Sequence, residues 1–217
     1  PNINQFPASR YSDVKSYTYF DAAKNWIYNQ KKFFTKEKLF FLKTHNSLQE
    51  YLGYRFTKSS ETLGAIYIVR DPRNVITSMC NHYSMSLNEM YNKMVDENAS
   101  LSIKDSDGDL SNFSFLGSWS NHYKSWKNNF EFKTLFIKYE DLEENAYEEF
   151  WKILTFIEEL TGKNEPINKR KFENSINSTN FSSLKQKEKF HGFKESPTFE
   201  KNNKKKFFNL GFKIKWH

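Results

Sequence analysis

Short runs of apolar residues, each bounded by charged or polar residues, mark three candidate strands. They span residues 38–43, 64–69 and 134–139. Consecutive apolar residues over this length are typical of strands that are buried on both faces of a sheet. The pattern therefore predicts a sheet that is covered on both sides.

Helical periodicity occupies the segments between and after these strands. Residues 72–83 follow Asp71 as a candidate N-cap and begin with Pro72, a strong signal for a helix start. Residues 145–160 carry apolar side chains at steps of three and four, with glutamates near the positive end of the helix dipole. Residues 116–129 place three aromatic side chains on one helical face. Three helices are therefore predicted.

The alternation of strands and helices predicts an α/β fold, a mainly parallel sheet flanked by helices, in a single domain over residues 1–217. Ligands of such sheets bind beyond the carboxyl ends of the strands. The residues that follow the three strands, 43–45, 70–73 and 138–141, should therefore meet at one edge. The polar segment 96–112 is interpreted as a loop.

The composition narrows the class of protein. With one cysteine, Cys80, an internal disulfide and a cysteine zinc site are excluded. The apolar runs are far shorter than the roughly 18 to 20 residues that span a bilayer, so no membrane span is expected. Four histidines lack metal-ligand spacing, so they are interpreted as surface or polar-network residues and no metal is expected. They are His82, His122, His191 and His217.

The formal net charge of +7 suits an anionic partner but does not identify it. A nucleic acid, a membrane surface and a small anionic substrate are all compatible. Aromatic residues make up 18% of the chain, but most have core spacing and no RNA-binding strand motif is present. A nucleic-acid-binding module is therefore the weaker interpretation. The basic run 201–206 is either a solvated segment or part of an anion site.

Lys43 and His45 are two residues apart at the end of the first predicted strand, and side chains with that spacing share a face. A neutral imidazole can accept a proton from a hydroxyl, and a nearby ammonium can stabilise negative charge on oxygen. The pair is a candidate for proton abstraction, although a lysine and a histidine at a strand end are often surface residues.

Arg70 follows the second predicted strand and immediately precedes the helix that begins at Pro72. A helix start with free N–H groups beside a guanidinium is an anion site in outline. The alternative is that Arg70 pairs with a carboxylate, either Asp71 or Glu140. The glycines never take the spacing of a nucleotide-binding P-loop, so an ordinary P-loop NTPase is not expected.

Five segments, taken together in order, resemble the sulfotransferases that use 3′-phosphoadenosine 5′-phosphosulfate (PAPS), especially their bacterial branch. They are residues 41–46, 64–75, 117–122, 139–142 and 181–184. The resemblance covers most of the chain. It implies a P-loop-NTPase-like sulfotransferase fold and transfer of a sulfuryl group from PAPS to an acceptor hydroxyl, leaving 3′-phosphoadenosine 5′-phosphate (PAP).

The resemblance also implies roles for individual residues. His45 would be the base that deprotonates the acceptor, and Lys43 would help to hold the transferring sulfonate. The residues implied to contact the nucleotide are Arg70 and Ser78 at the 3′-phosphate, Tyr139, Thr179 and Phe181 at the adenine, and Gly211 near the 3′-phosphate. Ser78 lies roughly 9 Å along the predicted helix from Pro72, at about 1.5 Å per residue, so a phosphate would have to approach it from the side.

The sequence departs from the family at two places. The family's phosphosulfate loop and first strand are expected before Pro1, and Asn209-Leu210-Gly211 aligns with an Arg-Lys-Gly triplet. We therefore hypothesise that the sequence is part of a longer protein, truncated at both ends. A non-catalytic nucleotide-binding relative is the alternative. Cytoplasmic localisation is expected from the cytosolic donor and the absence of a leader. The acceptor has no sequence signal, and a lipid, a sugar, a phenol and a small alcohol are all compatible. The oligomeric state has no sequence signal either.

Overall fold

The computed structural model describes residues 18–33, 39–102, 113–163, 166–193, 198–199, 203–204 and 206–208. The elements in chain order are α1 (Tyr19–Phe33), β1 (Gly64–Val69), α2 (Pro72–Tyr83), α3 (Leu87–Val95), β2 (Ser100–Leu101), β3 (Ser114–Phe115), α4 (Trp119–Lys127), β4 (Lys133–Lys138), α5 (Tyr139–Glu144), α6 (Ala146–Thr161), α7 (Lys169–Thr179), α8 (Phe181–His191), β5 (Thr198–Phe199) and β6 (Asn203–Lys204). The fold is α/β, with helices flanking a parallel sheet, as predicted.

β1 and β4 are hydrogen-bonded neighbours and form a two-stranded sheet among the described residues. β1 has the predicted bounds, whereas β4 ends at Lys138 because Tyr139 opens α5. Two shorter pairs are antiparallel: β2 with β3, and β5 with β6. The pairing of β2 corrects the interpretation of 96–112 as a loop throughout, since Ser100–Leu101 is a strand. Residues 103–112 lie outside the described residues.

The predicted strand at 38–43 is wrong over residues 39–43. These residues form no regular strand, and only Lys43 takes part in an isolated bridge. Leu39, Phe40 and Phe41 are 50%, 37% and 53% exposed, so this run is not buried on both faces. A continuous apolar run has the composition of a buried strand, but only a hydrogen-bonded neighbour makes it one.

The predicted helix at 72–83 is confirmed with its start signal. The Asp71 side chain accepts a hydrogen bond from the backbone N–H of Arg73, and Pro72 occupies the first turn. The helix ends where Ser84 adopts a left-handed conformation with φ 54°. The predicted helix at 145–160 is confirmed as α6, shifted by one residue, with Gly162 as its left-handed C-cap.

The predicted helix at 116–129 is shorter than expected. α4 begins at Trp119 because Gly117 has φ 63° and Ser118 is extended, and the Ser118 side chain accepts from the N–H of Asn121. A chain that turns through a left-handed glycine cannot be in the helix at that point. The helix therefore starts after its N-cap rather than at the first apolar residue.

Five helices of the described residues were not predicted, and short polar or acidic residues cap four of them; α5 has no side-chain cap. Thr18 and Asp21 exchange capping hydrogen bonds at α1, and Ser86 and Glu89 do so at α3. Asn168 and Asn180 accept from the third backbone N–H beyond them at α7 and α8. Such caps satisfy the free N–H groups of a first turn and are a sequence signal that the apolar periodicity alone does not carry.

The chain divides into two compact units. The first contains the described parts of Pro1–Tyr67 and Asn92–Leu135. Its core is formed by α1, the chain around Phe56 and the β3 region: Ala22, Ala23, Trp26, Phe56, Phe113 and Phe115. Trp26 stacks on Phe113 with ring centroids 5.9 Å apart and meets Phe56 edge-on at the same distance. Gln30 extends α1's buried side by donating to the carbonyl oxygen of Phe56 at 2.5 Å.

The second unit contains Ile68–Tyr91 and the described parts of Phe136–His217. Within it, Tyr147 and Trp151 of α6 pack edge-on against Phe172 of α7. α6 buries Glu149 and Phe156, whereas Phe150, part of the periodic apolar set, is 38% exposed. Apolar residues cover more than one side of this helix, so its neighbours rather than its periodicity decide which side is buried.

Candidate functional site

Three side chains on one face of α4 hold the backbone of residues 45–48. Two of them are Ser125 and Trp126. Trp126 donates its indole N–H to the carbonyl oxygen of Asn46 at 3.1 Å, and Ser125 Oγ accepts from the N–H of Leu48 at 3.0 Å. Positions that are three and four residues apart on a helix point the same way, which is why one helical face can contact successive backbone groups.

The third side chain is His122, which joins this backbone to β1. Its Nε2 lies 3.2 Å from the carbonyl oxygen of His45, and its Nδ1 lies 2.8 Å from the hydroxyl oxygen of Tyr67. Ser125 Oγ also donates to the backbone carbonyl of His122 at 2.7 Å. His122 therefore belongs to a polar network, as the sequence predicted.

The other side of the same segment is held by β3. The N–H of Phe115 donates to Asn46 Oδ1 at 2.9 Å, and the N–H of Ser47 donates to the carbonyl oxygen of Phe115 at 2.8 Å. Asn46 and Ser47 are 3% and 1% exposed. The backbone that carries the candidate base is thus fixed from two sides.

The predicted pair, Lys43 and His45, lies at the start of this segment. Lys43 is exposed and His45 is partly buried. Both have further contacts within the protein. Their assigned roles in catalysis stay predictions, because the structure contains no substrate.

Burial sets the protonation of the His122 network. Desolvation lowers the pKa of His122, and its hydrogen bond to the backbone of His45 opposes that effect. Burial raises the pKa of Tyr67 to about 12, with a smaller contribution from Tyr123. Both groups are therefore neutral at pH 7, so Tyr67 keeps its hydroxyl proton.

A second cluster, in the other unit, is formed where β1 and β4 end. The guanidinium carbon of Arg70 lies 4.5 Å from the ring centroid of Tyr139. Arg70 Nε is buried and has no hydrogen-bond partner among the described residues. The prediction that residues following the strands meet at one edge is confirmed for this pair.

The structure decides against the carboxylate alternative for Arg70. Asp71 binds Arg73 instead, with Oδ2 2.7 Å from Nη2, and this hydrogen bond lowers the pKa of Asp71. Glu140 Oε1 accepts from the backbone N–H of Asp71 at 3.2 Å. Arg70 forms no ion pair with either carboxylate, or with any other residue that the structure describes. A buried guanidinium N–H without a partner is costly in the free protein and suits an anionic ligand.

The pKa of Tyr139 reflects its burial and the charged residues around it. Burial raises its pKa, as do the charge of Glu143 and the hydrogen bond between the two side chains, whereas Arg70 lowers it. The phenol hydroxyl thus stays protonated at pH 7. The ring is held in place with its face against Arg70.

The remaining predicted nucleotide contacts lie on helices of the second unit or outside the described residues. Ser78 is exposed on α2, Thr179 ends α7 and donates from Oγ1 to the carbonyl of Ser175 at 2.7 Å, and Phe181 opens α8. Gly211 lies outside the described residues. The roles predicted for these four residues remain predictions.

An aromatic cluster connects α8 with residues 206–208. The ring of Phe181 meets that of Phe208 edge-on at 5.7 Å. Glu188, one side chain on α8, accepts from two successive backbone N–H groups, those of Phe207 at 2.6 Å and Phe208 at 3.0 Å. The role of Glu188 has no sequence signal, because no local pattern links it to Phe207 and Phe208.

Phe207 is also the contact of this cluster with α2. Its ring meets that of His82 edge-on at 6.1 Å. His82 lies four residues after Ser78, so the two share a face of α2. The side of the helix that carries Ser78 is therefore the side on which residues 206–208 lie.

No group of histidine, cysteine and acidic residues suited to a metal ion occurs in the part of the chain that the structure describes. Within the same residues, no helix has the length and apolar character needed to cross a membrane.

Comparison with known proteins gives the class of this chain. Residues 8–217 match the family model described as "Sulfotransferase domain", and the chain therefore belongs to that family. One similar solved structure is that of a mouse sulfotransferase, SULT7A1, complexed with PAP. It is 21% identical, with a TM-score of 0.44, over 66% of this chain and 47% of the mouse protein, so this chain spans about half the length of that protein. No curated protein is significantly similar in sequence.

Proposed function

We propose that this chain carries the sulfuryl-transfer site of a sulfotransferase that uses PAPS as donor and a hydroxyl compound as acceptor. The observation that carries the proposal is the buried, unpartnered Nε of Arg70 against the face of Tyr139. It is supported by membership in the family. Residues 1–217 would act as one domain in this function, with cytoplasmic localisation.

In the proposed nucleotide site, Arg70 donates charge-assisted hydrogen bonds to the 3′-phosphate of PAPS. The first turn of α2 adds the positive end of the helix dipole. Ser78 would contact the same phosphate from the side of α2. Tyr139, Thr179 and Phe181 would contact the adenine, and Gly211 the 3′-phosphate.

In the proposed reaction, the acceptor oxygen attacks the sulfur of PAPS in line with the bond to the bridging phosphate oxygen. The acceptor proton passes to His45, the new oxygen–sulfur bond forms, and PAP leaves with the electron pair of the broken bond. Lys43 stabilises negative charge on the sulfuryl oxygens. Catalysis then comes from positioning and charge stabilisation, without a metal ion.

The experiment is a calorimetric titration of the chain with PAP, with 5′-AMP as the control ligand. We expect tighter binding of PAP, because only PAP carries the 3′-phosphate. In Arg70→Met, PAP affinity should fall about 10- to 100-fold, the loss of one charge-assisted interaction. Arg55→Met is the matched control, since Arg55 is an exposed arginine that binds Glu131. Equal affinity for the two ligands, or an Arg70→Met protein that binds PAP normally, would contradict the proposal.

The second candidate is a non-catalytic relative that binds the nucleotide but transfers nothing. The sequence observation that favours it is Asn209-Leu210 where the family has Arg-Lys. The two functions differ in whether PAPS is converted to PAP. Release of PAP from PAPS in the presence of a panel of phenols, alcohols and sugars supports the enzyme, whereas PAP binding without any turnover supports the relative.

A further inference from the structure

The hydrogen bonds of His122 define which of its ring nitrogens carries the proton. The carbonyl oxygen of His45 can only accept a hydrogen bond, so Nε2 of His122 must donate to it across 3.2 Å. In the neutral ring Nδ1 is then unprotonated, and it accepts a hydrogen bond from the Tyr67 hydroxyl across 2.8 Å. We assign the Nε2–H tautomer to His122 on these partners.

We propose that His122 and Tyr67 are positioning residues, which hold the backbone of His45 so that its imidazole meets the acceptor hydroxyl. The hydrogen bonds run in one direction, from the Tyr67 hydroxyl to His122 Nδ1, and from His122 Nε2 to the carbonyl oxygen of His45. This inference rests on the proposed function, which makes His45 the base. It adds two residues that the resemblance to the family did not assign.

The same hydrogen bonds exclude His122 as the base itself. A general base needs a nitrogen lone pair that faces the substrate proton. The lone pair of Nδ1 is taken by Tyr67, and Nε2 carries a hydrogen that is bound to a carbonyl. His122 can therefore orient a neighbour but cannot take up the acceptor proton without breaking the network.

Electrostatics and packing support a fixed arrangement. Burial keeps His122 neutral and Tyr67 protonated around pH 7, so each group retains the donor or acceptor role that the network needs. The Tyr67 ring also packs against Trp126, with centroids 5.9 Å apart. A ring that is packed against a second ring and hydrogen-bonded at its hydroxyl has little freedom to turn away from His122.

The first test is a measurement of histidine ring nitrogens by ¹⁵N NMR on the ligand-free chain at pH 7. We expect His122 in the Nε2–H form, with Nδ1 unprotonated. The Nδ1–H tautomer or an imidazolium at that pH would overturn the proposal. Because no nucleotide or acceptor is present, this result does not depend on the proposed function.

The second test follows the ring resonances of His45 in variants. Tyr67→Phe retains the ring and removes the hydroxyl, and Tyr147→Phe is the matched control, since it makes the same change on α6. We expect the His45 resonances to shift in Tyr67→Phe and to stay unchanged in the control. Unchanged His45 resonances in Tyr67→Phe would overturn the proposal.

The third test separates positioning from packing. His122→Gln can still donate to the carbonyl oxygen of His45, whereas His122→Leu cannot. With a simple phenol as acceptor, kcat should fall about 10- to 100-fold in His122→Leu and recover in part in His122→Gln, with PAP affinity unchanged in both. Equal loss in the two variants would overturn the positioning role. If the wild-type chain binds PAP but transfers nothing, the proposed function fails while the NMR results still decide the network.

Discussion

Two regions of this protein differ in how their polar groups are satisfied. Around residues 45–48, four backbone groups are paired with side chains of α4 or with β3. At the ends of β1 and β4, Arg70 Nε is buried without a partner that the structure describes, although carboxylates of Asp71 and Glu140 are close in the fold. In the first region the unpartnered buried atom is a neutral hydroxyl, Ser47 Oγ, whereas in the second it belongs to a cationic group, Arg70 Nε.

The difference indicates two functional roles. A segment whose backbone is hydrogen-bonded on two sides is rigid, because each movement breaks a hydrogen bond in a buried setting. Such a segment suits a base that must be held in a fixed orientation. An unpaired cationic N–H is destabilising in the free protein because it has lost its hydration without gaining a hydrogen bond. An anion that supplies the missing acceptor removes that destabilisation, which favours binding.

The largest loss of stability is expected for a substitution in the region around residues 45–48. Trp126 is 6% exposed and donates to Asn46, so Trp126→Ala removes a large buried ring together with a hydrogen bond. The free energy of unfolding should fall by about 3–5 kcal/mol in denaturant titrations. Phe130→Ala is the control, because Phe130 is 94% exposed and should change stability by less than about 0.5 kcal/mol. Similar losses in the two variants would contradict the assigned packing.

A smaller loss of stability is expected when one hydrogen-bonding atom is removed from the same region. Ser125→Ala leaves the N–H of Leu48, a residue only 5% exposed, without its acceptor. Because a buried unpaired donor keeps its desolvation cost, unfolding free energy should drop by about 1–3 kcal/mol. Ser120→Ala, at an exposed position of the same helix, should leave the unfolding curve unchanged. A stable Ser125→Ala protein would show that the segment is not held as described.

The paired region should also be sensitive to acid. Burial lowers the pKa of His122 in the folded protein, while in the unfolded chain it is about 6.5. As pH falls through about 6.5, the unfolded chain therefore gains a proton that folded His122 does not, and stability decreases until the folded pKa is reached. His122→Gln should weaken this dependence in thermal melts between pH 8 and pH 5. A melt series that is equally steep in both proteins would contradict the lowered pKa.

The smallest effect is expected at the unpaired guanidinium. Arg70→Met removes the cation–π contact with Tyr139, worth about 0.5–1 kcal/mol, and also removes the cost of a buried unpaired N–H. These contributions offset each other, so unfolding free energy should change by less than about 1 kcal/mol. A decrease in unfolding free energy above about 2 kcal/mol would show that Arg70 stabilises the fold, and would contradict its assignment as an anion contact.

Local signals were sufficient for the elements that carry the site. The apolar run of β1 and the Asp71-Pro72 start of α2 have the predicted bounds, because a buried strand and an N-cap each depend on a few adjacent residues. Local signals were not sufficient at residues 39–43, where the same kind of apolar run is exposed. The start of α4 also differed, since the conformation of Gly117 is not visible in the apolar periodicity.

The residues predicted at the site depended on sequence motifs, and their partners depended on the fold. Arg70 is predicted from its position after a strand and Tyr139 from the resemblance to the family, and the two side chains do meet. That Asp71 binds Arg73 rather than Arg70 could not be predicted, because both arginines lie within two residues of the same carboxylate. The contact of Glu188 with Phe207 and Phe208 joins residues that no local pattern connects.

The sequence by itself determined the α/β class, the sulfotransferase family, the candidate base at His45 and the candidate anion contact at Arg70. These follow from periodicity and from motifs whose information lies in neighbouring residues. Only the tertiary structure decided that α4 holds the backbone of His45 through His122, and that Arg70 has a buried nitrogen left unpaired. Hydrogen bonding and burial depend on which distant segments are brought together in space, and that is a property of the whole fold rather than of any short stretch of sequence.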